Sequence, residues 1–243
     1  ELEAVLGLCK RLGAAGDTNP FDAQGVIGMH AIERVLWSDA IPPEVVQFEQ
    51  VLPGYRKAEF PRSEREAREL RHELVARLVK DVSTLREQLT SVELDLAFAF
   101  RGLIDLSLEQ AEKVDRAATG QEESRYAQAT MRDLRANQRG CRDAYELFRP
   151  WLATRPDGAA RDAAVLAAFE RLNRAYAAIP GDAIPRPPRT WSSLDPTQND
   201  VTTEFGKLFV AVAGEVDARR EGSLHHSLIA AAQALGMPPP VVR

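Results

Sequence analysis

The sequence is poor in the features that mark small secreted domains, membrane spans and nucleic-acid binding. Two cysteines among 243 residues, Cys9 and Cys141, make no disulfide framework; they form one bridge or, as we expect, two separate thiols. No apolar run approaches the roughly 20 residues that a spanning helix needs. The net charge of −5 gives no electrostatic basis for binding nucleic acid or an anionic membrane. The 44% of hydrophobic residues is nevertheless ample for the core of a globular protein.

Motifs of hydrolytic and phosphate-binding enzymes are also absent. The chain has no Gly-x-Ser-x-Gly elbow, no Gly-rich phosphate loop and no Cys/His cluster. The zinc-protease signature needs a second histidine four residues after the first, and Arg34 stands four residues after His30. Of the other histidines, His72 is expected on a charged, solvated helix face, and His225 and His226 at the surface near a helix end.

The pattern that is present is helical. Ser63 with Glu66 forms a capping box, and apolar residues follow at helical spacing at Leu70, Leu74, Leu78, Val82, Leu85 and Leu89. Residues 94–101 alternate like a strand, but the apolar pattern continues to Val114 without a turn signal, which favours a buried helix. We therefore expect long helices and no strand.

Capping residues and prolines predict the other helix boundaries. A box at Thr90 and Glu93 opens one helix, and a box at Thr119 and Glu122 opens another over 122–149 that stops at Pro150. Asp157 caps a helix over 158–179, a Pro-rich connector spans 180–196, Asp195 with Pro196 starts the next helix, and the last covers 223–235. About eight long helices joined by short links predict an all-α protein built of antiparallel bundles.

The stretch "GMHAIERVLW", residues 28–37, places two ionisable residues in an apolar helical segment. His30 and Glu33 are three residues apart and share one helix face, so that an imidazole and a carboxylate can converge on one cation. Helical bundles use this spacing in metal sites. The same spacing also occurs in ordinary hydrogen-bonded pairs at a bundle surface, and spacing alone leaves both interpretations open.

A second polar stretch follows between residues 122 and 149. It includes six candidate pocket residues: Glu122, Glu123, Arg125, Tyr126, Asp133 and Asn137. Asp133 and Asn137 are four apart and share a helix face. They indicate either a polar pocket between bundles or the solvated face of an amphipathic helix.

Taken together, the two stretches resemble the imelysin-like family. "GMHAIERVLW" matches the family's Gly-x-His-x-x-Glu motif, and Arg125, Tyr126, Asp133, Asn137 and Gly140 keep the spacing of its second block. The resemblance covers residues 22–152. It implies two antiparallel helical bundles packed together and related by duplication, here 1–118 and 119–243, with a functional site near their junction. The short echo between "HAIE" at 30–33 and "DAYE" at 143–146 agrees with duplication.

The resemblance also implies a function. Family members are exported, often as lipoproteins, and are implicated in iron uptake or metal binding. This implies a periplasmic or cell-surface, lipid-anchored protein whose signal peptide would precede Glu1, with an iron transport component of the inner or outer membrane as partner. His30 and Glu33 become ligands of a divalent or ferric ion, iron before zinc. The six polar residues of the second block then line the same site, with Asp133 and Asn137 facing the pair.

Departures from the family pattern keep alternatives open. Ala127 and Ala129 stand where the second block usually carries polar side chains. The first alternative is therefore a non-enzymatic binding module for a glycan or a partner protein, with an altered metal site. A metallopeptidase is the least favoured function, because a second spaced histidine and a positioned base are both missing.

Overall fold

The computed structural model describes residues 29–92 and 95–238, with side chains from Glu33 onward, and all regular structure within these ranges is helical. The prediction of an all-α fold is confirmed. The α-helices are α1 (Met29–Leu36), α2 (Pro43–Gln50), α3 (Glu64–Leu89), α4 (Leu96–Ala117), α5 (Thr130–Glu146), α6 (Arg149–Leu152), α7 (Gly158–Ala177), α8 (Glu204–Val216) and α9 (Leu224–Ala234). A 3-10 turn, Asp200–Thr202, precedes α8.

The described chain divides into two compact units. The first contains α1, α2 and α3 together with the short segment Arg125–Ala127, and the second contains the remaining described residues from Asp95 onward. The predicted bundle division after residue 118 and the predicted duplication stay predictions.

In the first unit, helix α3 begins as its sequence predicts and then leaves its apolar row partly exposed. The Ser63 hydroxyl accepts a hydrogen bond from the Glu66 backbone at 3.2 Å, which confirms Ser63 as the N-cap, and the Glu66 carboxylate accepts from the Arg62 backbone at 2.8 Å. Leu70 and Leu74 are buried, whereas the end of the row, from Val82 onward, is exposed. An apolar cleft of about 250 Å³ lies over the buried part of α3.

In the second unit, α4, α5, α7, α8 and α9 surround one apolar core. Phe100 and Phe148 meet edge to face, with ring centroids 5.0 Å apart. Cys141 is a free thiol buried in this core, and burial raises its pKa to about 12. The expectation of an unpaired thiol is confirmed for Cys141, and Cys9 lies outside the described residues.

Two of the predicted capping boxes are wrong. The Thr90 and Thr119 hydroxyls donate backwards, to the carbonyls of Glu87 and Arg116, so that each threonine closes a helix instead of opening one. Such local bonds compete with the N-cap role of threonine. Helix α4 is capped by Asp95 instead, whose carboxylate accepts from the Ala97 backbone at 2.9 Å. The alternating segment 94–101 is helical from residue 96, as predicted.

The helix predicted over 122–149 is shorter than expected at both ends. Residues 121–129 are not helical, with turns over 123–128, and Gln128 has a left-handed φ of 54°, so that α5 starts only at Thr130. It ends at Glu146, and Pro150 lies in the first turn of α6, where the missing N–H of proline is tolerated.

The later boundaries are partly as predicted. Asp157 precedes α7, but its side chain caps nothing and its φ is 57°. Asp195 and Pro196 stay in the connector, and the next helix, α8, is opened by Thr203, whose hydroxyl accepts from the Gly206 backbone at 3.0 Å. The final helix is confirmed, with Ser223 as its N-cap.

Candidate functional site

Two positions of the Gly-x-His-x-x-Glu motif, 30 and 33, lie on helix α1 of the first unit. Positions 30 and 33 both fall within Met29–Leu36, so they share one face of a formed helix. Glu33 is half-buried. The side chain of His30 is outside the described residues, and its role as a ligand stays a prediction.

Beside the motif, Arg34 is buried in a doubly hydrogen-bonded ion pair with Glu49 of helix α2. Its Nε lies 3.0 Å from Glu49 Oε1 and its Nη2 2.7 Å from Oε2. The Arg34 Nη2 also donates to the Arg56 carbonyl at 2.8 Å. Both charged side chains are only 1% exposed. A buried pair of this kind depends on such geometry, because neither charge has water to solvate it.

Tyr126, from the second sequence block, completes this cluster. Its phenol donates to Glu49 Oε1 at 2.7 Å, and the residue is 1% exposed. Burial, followed by the nearby Glu49 carboxylate, raises the Tyr126 pKa to about 12, although the Arg125 guanidinium opposes the shift. Tyr126 is therefore a neutral donor at physiological pH. The Arg125 guanidinium carbon lies 5.1 Å from the centre of the Tyr126 ring.

Sequence reasoning missed Glu49, which joins the two blocks. The available signal was its position: Glu49 lies four residues after Val45, on the buried face of a short helix where an apolar residue is expected. An acid at such a position predicts a buried cationic partner, but the sequence does not say which one.

The acidic residues of the second block have partners within the second unit. Glu122 is buried and accepts from Gln128 Nε2 at 2.9 Å and from Thr130 Oγ1 at 2.6 Å. Glu123 pairs with Lys113, and Asp133 accepts from Ser124. These carboxylates are thus held by neighbouring side chains in a polar cluster around the start of α5.

Asp133 and Asn137 both lie on α5, one turn apart and half-buried, as their spacing predicts. Asn137 makes no hydrogen bond to any of the described residues, so its amide is free to bind a ligand or water. The prediction that these two residues face His30 and Glu33 stays a prediction.

The predicted surface position of the histidine pair is wrong for His225. This side chain is 7% exposed, and its Nδ1 lies 3.4 Å from Ser107 Oγ on helix α4. Burial lowers its pKa, and Asp105 partly opposes the shift. The reason for the error is packing, since the start of α9 lies against α4. His72 is exposed on α3, as predicted.

The described part of the chain contains neither a cluster of metal-ligating side chains nor a membrane-spanning helix. Among its side chains, no three or more His, Cys, Asp or Glu residues lie close enough together to hold a metal ion. No helix within 29–92 or 95–238 is long and apolar enough to cross a membrane.

The class of this protein follows from these observations: it is an all-helical protein in which the His and Glu positions of a Gly-x-His-x-x-Glu motif share one helix, with an Arg-Tyr block about 90 residues later. The sequence model of the imelysin family matches residues 10–208, and the chain belongs to that family. No curated protein and no solved structure matches the chain.

Proposed function

We propose that this chain is an exported metal-binding protein associated with iron uptake, and that His30 and Glu33 bind the metal. The observation that carries the proposal is the placement of both residues three apart on helix α1, in a chain of the imelysin family. An imidazole with a carboxylate suits iron and also zinc. The ion would be the cargo of the protein, delivered to a membrane transport component from the periplasm or the cell surface.

Two polar side chains of the first unit, Glu49 and Tyr126, are poor candidates for additional metal ligands. Glu49 is already neutralised by Arg34 and hydrogen-bonded to Tyr126. The neutral Tyr126 phenol is a poor ligand, because ferric ion prefers the phenolate. The imidazole and the carboxylate on α1 suit an iron or zinc ion, and further ligands would come from other segments of the chain.

A second candidate function is a non-enzymatic binding module for a glycan or a partner protein. The observation that favours it lies in the second unit, where Glu122 and Asp133 already have hydrogen-bond partners while the half-buried Asn137 amide has none among the described residues. A free amide next to satisfied carboxylates suits hydroxyl or peptide groups better than a cation.

Metal analysis tests the first proposal. The protein is purified without a polyhistidine tag, loaded separately with iron and zinc, desalted, and analysed for bound metal. We expect the parent to retain iron, and His30→Ala and Glu33→Gln to lose it. His72→Ala is the matched control, because it removes an exposed imidazole from α3 and should retain metal like the parent.

Two outcomes would count against this assignment. A parent that holds no more metal than His30→Ala would contradict metal binding at α1. Cleavage of an unfolded protein substrate that stops on addition of a chelator would support the metallopeptidase function instead, and we expect no such cleavage.

A further inference from the structure

The position of helix α1 in the first unit depends on contacts made by its side chains, because most helical stability in proteins comes from tertiary packing. Among the described side chains of α1, Arg34 is buried and donates to Glu49 of α2 and to the Arg56 carbonyl beyond it.

The buried arginine belongs to the same turn as the motif. Position 34 directly follows Glu33 and is four residues from position 30, so all three positions lie on adjoining parts of one helix surface. Any shift or rotation of α1 that breaks the contact between Arg34 and Glu49 also moves the two motif positions.

We propose that Arg34, Glu49 and Tyr126 form a positioning cluster for the metal site on α1, in which Tyr126 acts through Glu49 and is not itself a ligand. This inference rests on the proposed metal binding by His30 and Glu33. It assigns a specific task to the Tyr126 of the second sequence block, which is to fix the carboxylate that anchors the helix of the first block.

The hydrogen bonds of the cluster support this role. Glu49 Oε1 accepts from both Arg34 Nε and the Tyr126 phenol, and Oε2 accepts from Arg34 Nη2, with distances of 2.7 to 3.0 Å. The carboxylate is thus fixed from two directions, by α1 and by the segment Arg125–Ala127. Bonds that involve ionised groups are stronger and more directional than neutral ones, and they orient the helix that carries Arg34.

Charge compensation adds a second contribution. Arg34 places a permanent positive charge within one turn of the motif, where it would repel a metal cation. Glu49 neutralises this charge directly, and Tyr126 adds none. Without the Glu49 carboxylate, the Arg34 guanidinium would lose this compensation beside the ligands, which would weaken cation binding.

The test compares metal affinity in full-length variants. Tyr126→Phe removes one phenolic oxygen and keeps the ion pair, whereas Glu49→Gln removes the carboxylate charge. We expect the dissociation constant for iron to rise about tenfold in Tyr126→Phe and more in Glu49→Gln, the range seen when groups that orient metal ligands are removed. Tyr145→Phe is the matched control, since it removes another buried phenol that donates to a carboxylate, in the second unit, and should keep the parent affinity.

Backbone hydrogen exchange of residues 29–36 separates this inference from the proposed function. In metal-free protein, Tyr126→Phe should exchange faster in that segment than Tyr145→Phe. If the parent binds iron and Tyr126→Phe binds it with parent affinity, the positioning role is wrong while the proposed function stands. If the parent binds no metal, the proposed function fails; faster exchange would then support positioning of α1 alone, and unchanged exchange would overturn that as well.

Discussion

An arginine, a carboxylate and a tyrosine form the same kind of cluster in each of the two units. In the first unit the cluster is Arg34, Glu49 and Tyr126. In the second unit it joins α5, α6 and α7: Arg149 holds Asp162 with two bonds, of 2.8 and 2.9 Å, and Tyr145 donates to the same carboxylate at 3.0 Å. In both clusters, the guanidinium donates two hydrogen bonds to the carboxylate, and a buried phenol donates a third.

The two clusters differ in their access to water. The Arg34 and Glu49 side chains are each 1% exposed, whereas Arg149 is 35% and Asp162 20% exposed. Arg149 also has a second acidic partner, Glu146, at 2.6 Å. Loss of one partner therefore has different consequences. Water and Glu146 would still stabilise the Arg149 charge, whereas the Arg34 charge would lose the Glu49 carboxylate at a site that water does not reach. Breaking the same hydrogen bonds therefore costs more unfolding free energy where water is excluded from the site.

Removing the carboxylate charge from each cluster should produce the largest difference in stability between the two units. Glu49→Gln removes the carboxylate of a buried ion pair, and we expect the first unit to lose about 3–5 kcal/mol of unfolding free energy. Asp162→Asn should have a clearly smaller effect, because Arg149 keeps Glu146 and reaches solvent. Urea unfolding, followed by hydrogen exchange in residues 29–50 and 143–165 separately, measures each unit by its own segments. If the two variants lost the same unfolding free energy, burial would not determine how much each ion pair contributes to stability.

Removing the phenolic hydroxyl from each cluster should have a smaller effect on stability than removing the carboxylate charge. Tyr126→Phe removes a donor to a carboxylate in a dry site and should cost about 1.5–3 kcal/mol, the range for hydrogen bonds to charged groups. Tyr145→Phe should cost less unfolding free energy, because water can reach the partly exposed Asp162 carboxylate and donate in place of the lost hydroxyl. The same exchange experiment compares them. A larger loss in Tyr145→Phe would mean that core packing around its ring, and not the phenol's hydrogen bond, dominates.

The sequence predicted the helices of both units better than it predicted either cluster. Apolar spacing identifies a helix from its own residues, and this was sufficient for α3, α4, α7 and α9. Helix starts were less reliable: Thr90 and Thr119 were expected to open helices, and both close them, because a threonine hydroxyl can accept from a following N–H or donate to a preceding carbonyl.

Local sequence patterns could not predict the cluster in the first unit. Glu49 meets Arg34 across 15 residues and Tyr126 across 77, so no spacing rule connects them. The family resemblance marked Tyr126 as important and suggested that it lines a pocket, whereas its buried contact with Glu49 indicates a structural task. Only the fold brings these three residues together, and only their burial tells this cluster apart from the one around Asp162.

The smallest expected difference between the units is their response to acid, and it is carried by His225. Burial holds the pKa of this imidazole below its ordinary 6.5, so between that value and the lower folded pKa the unfolded chain binds more protons than the folded one. The stabilising contribution of neutral His225 is therefore complete above about pH 6.5 and is lost as the pH falls through the folded pKa. Asp105 reduces the effect without reversing it.

Protection against exchange, corrected for the intrinsic pH dependence of amide exchange, should therefore fall on acidification more in residues 224–234 than in residues 29–36, and His225→Gln should reduce that acid dependence. His72→Gln, which removes an exposed imidazole, should leave it unchanged. If His225→Gln keeps the parent's acid dependence, the buried imidazole does not carry it and this assignment is wrong.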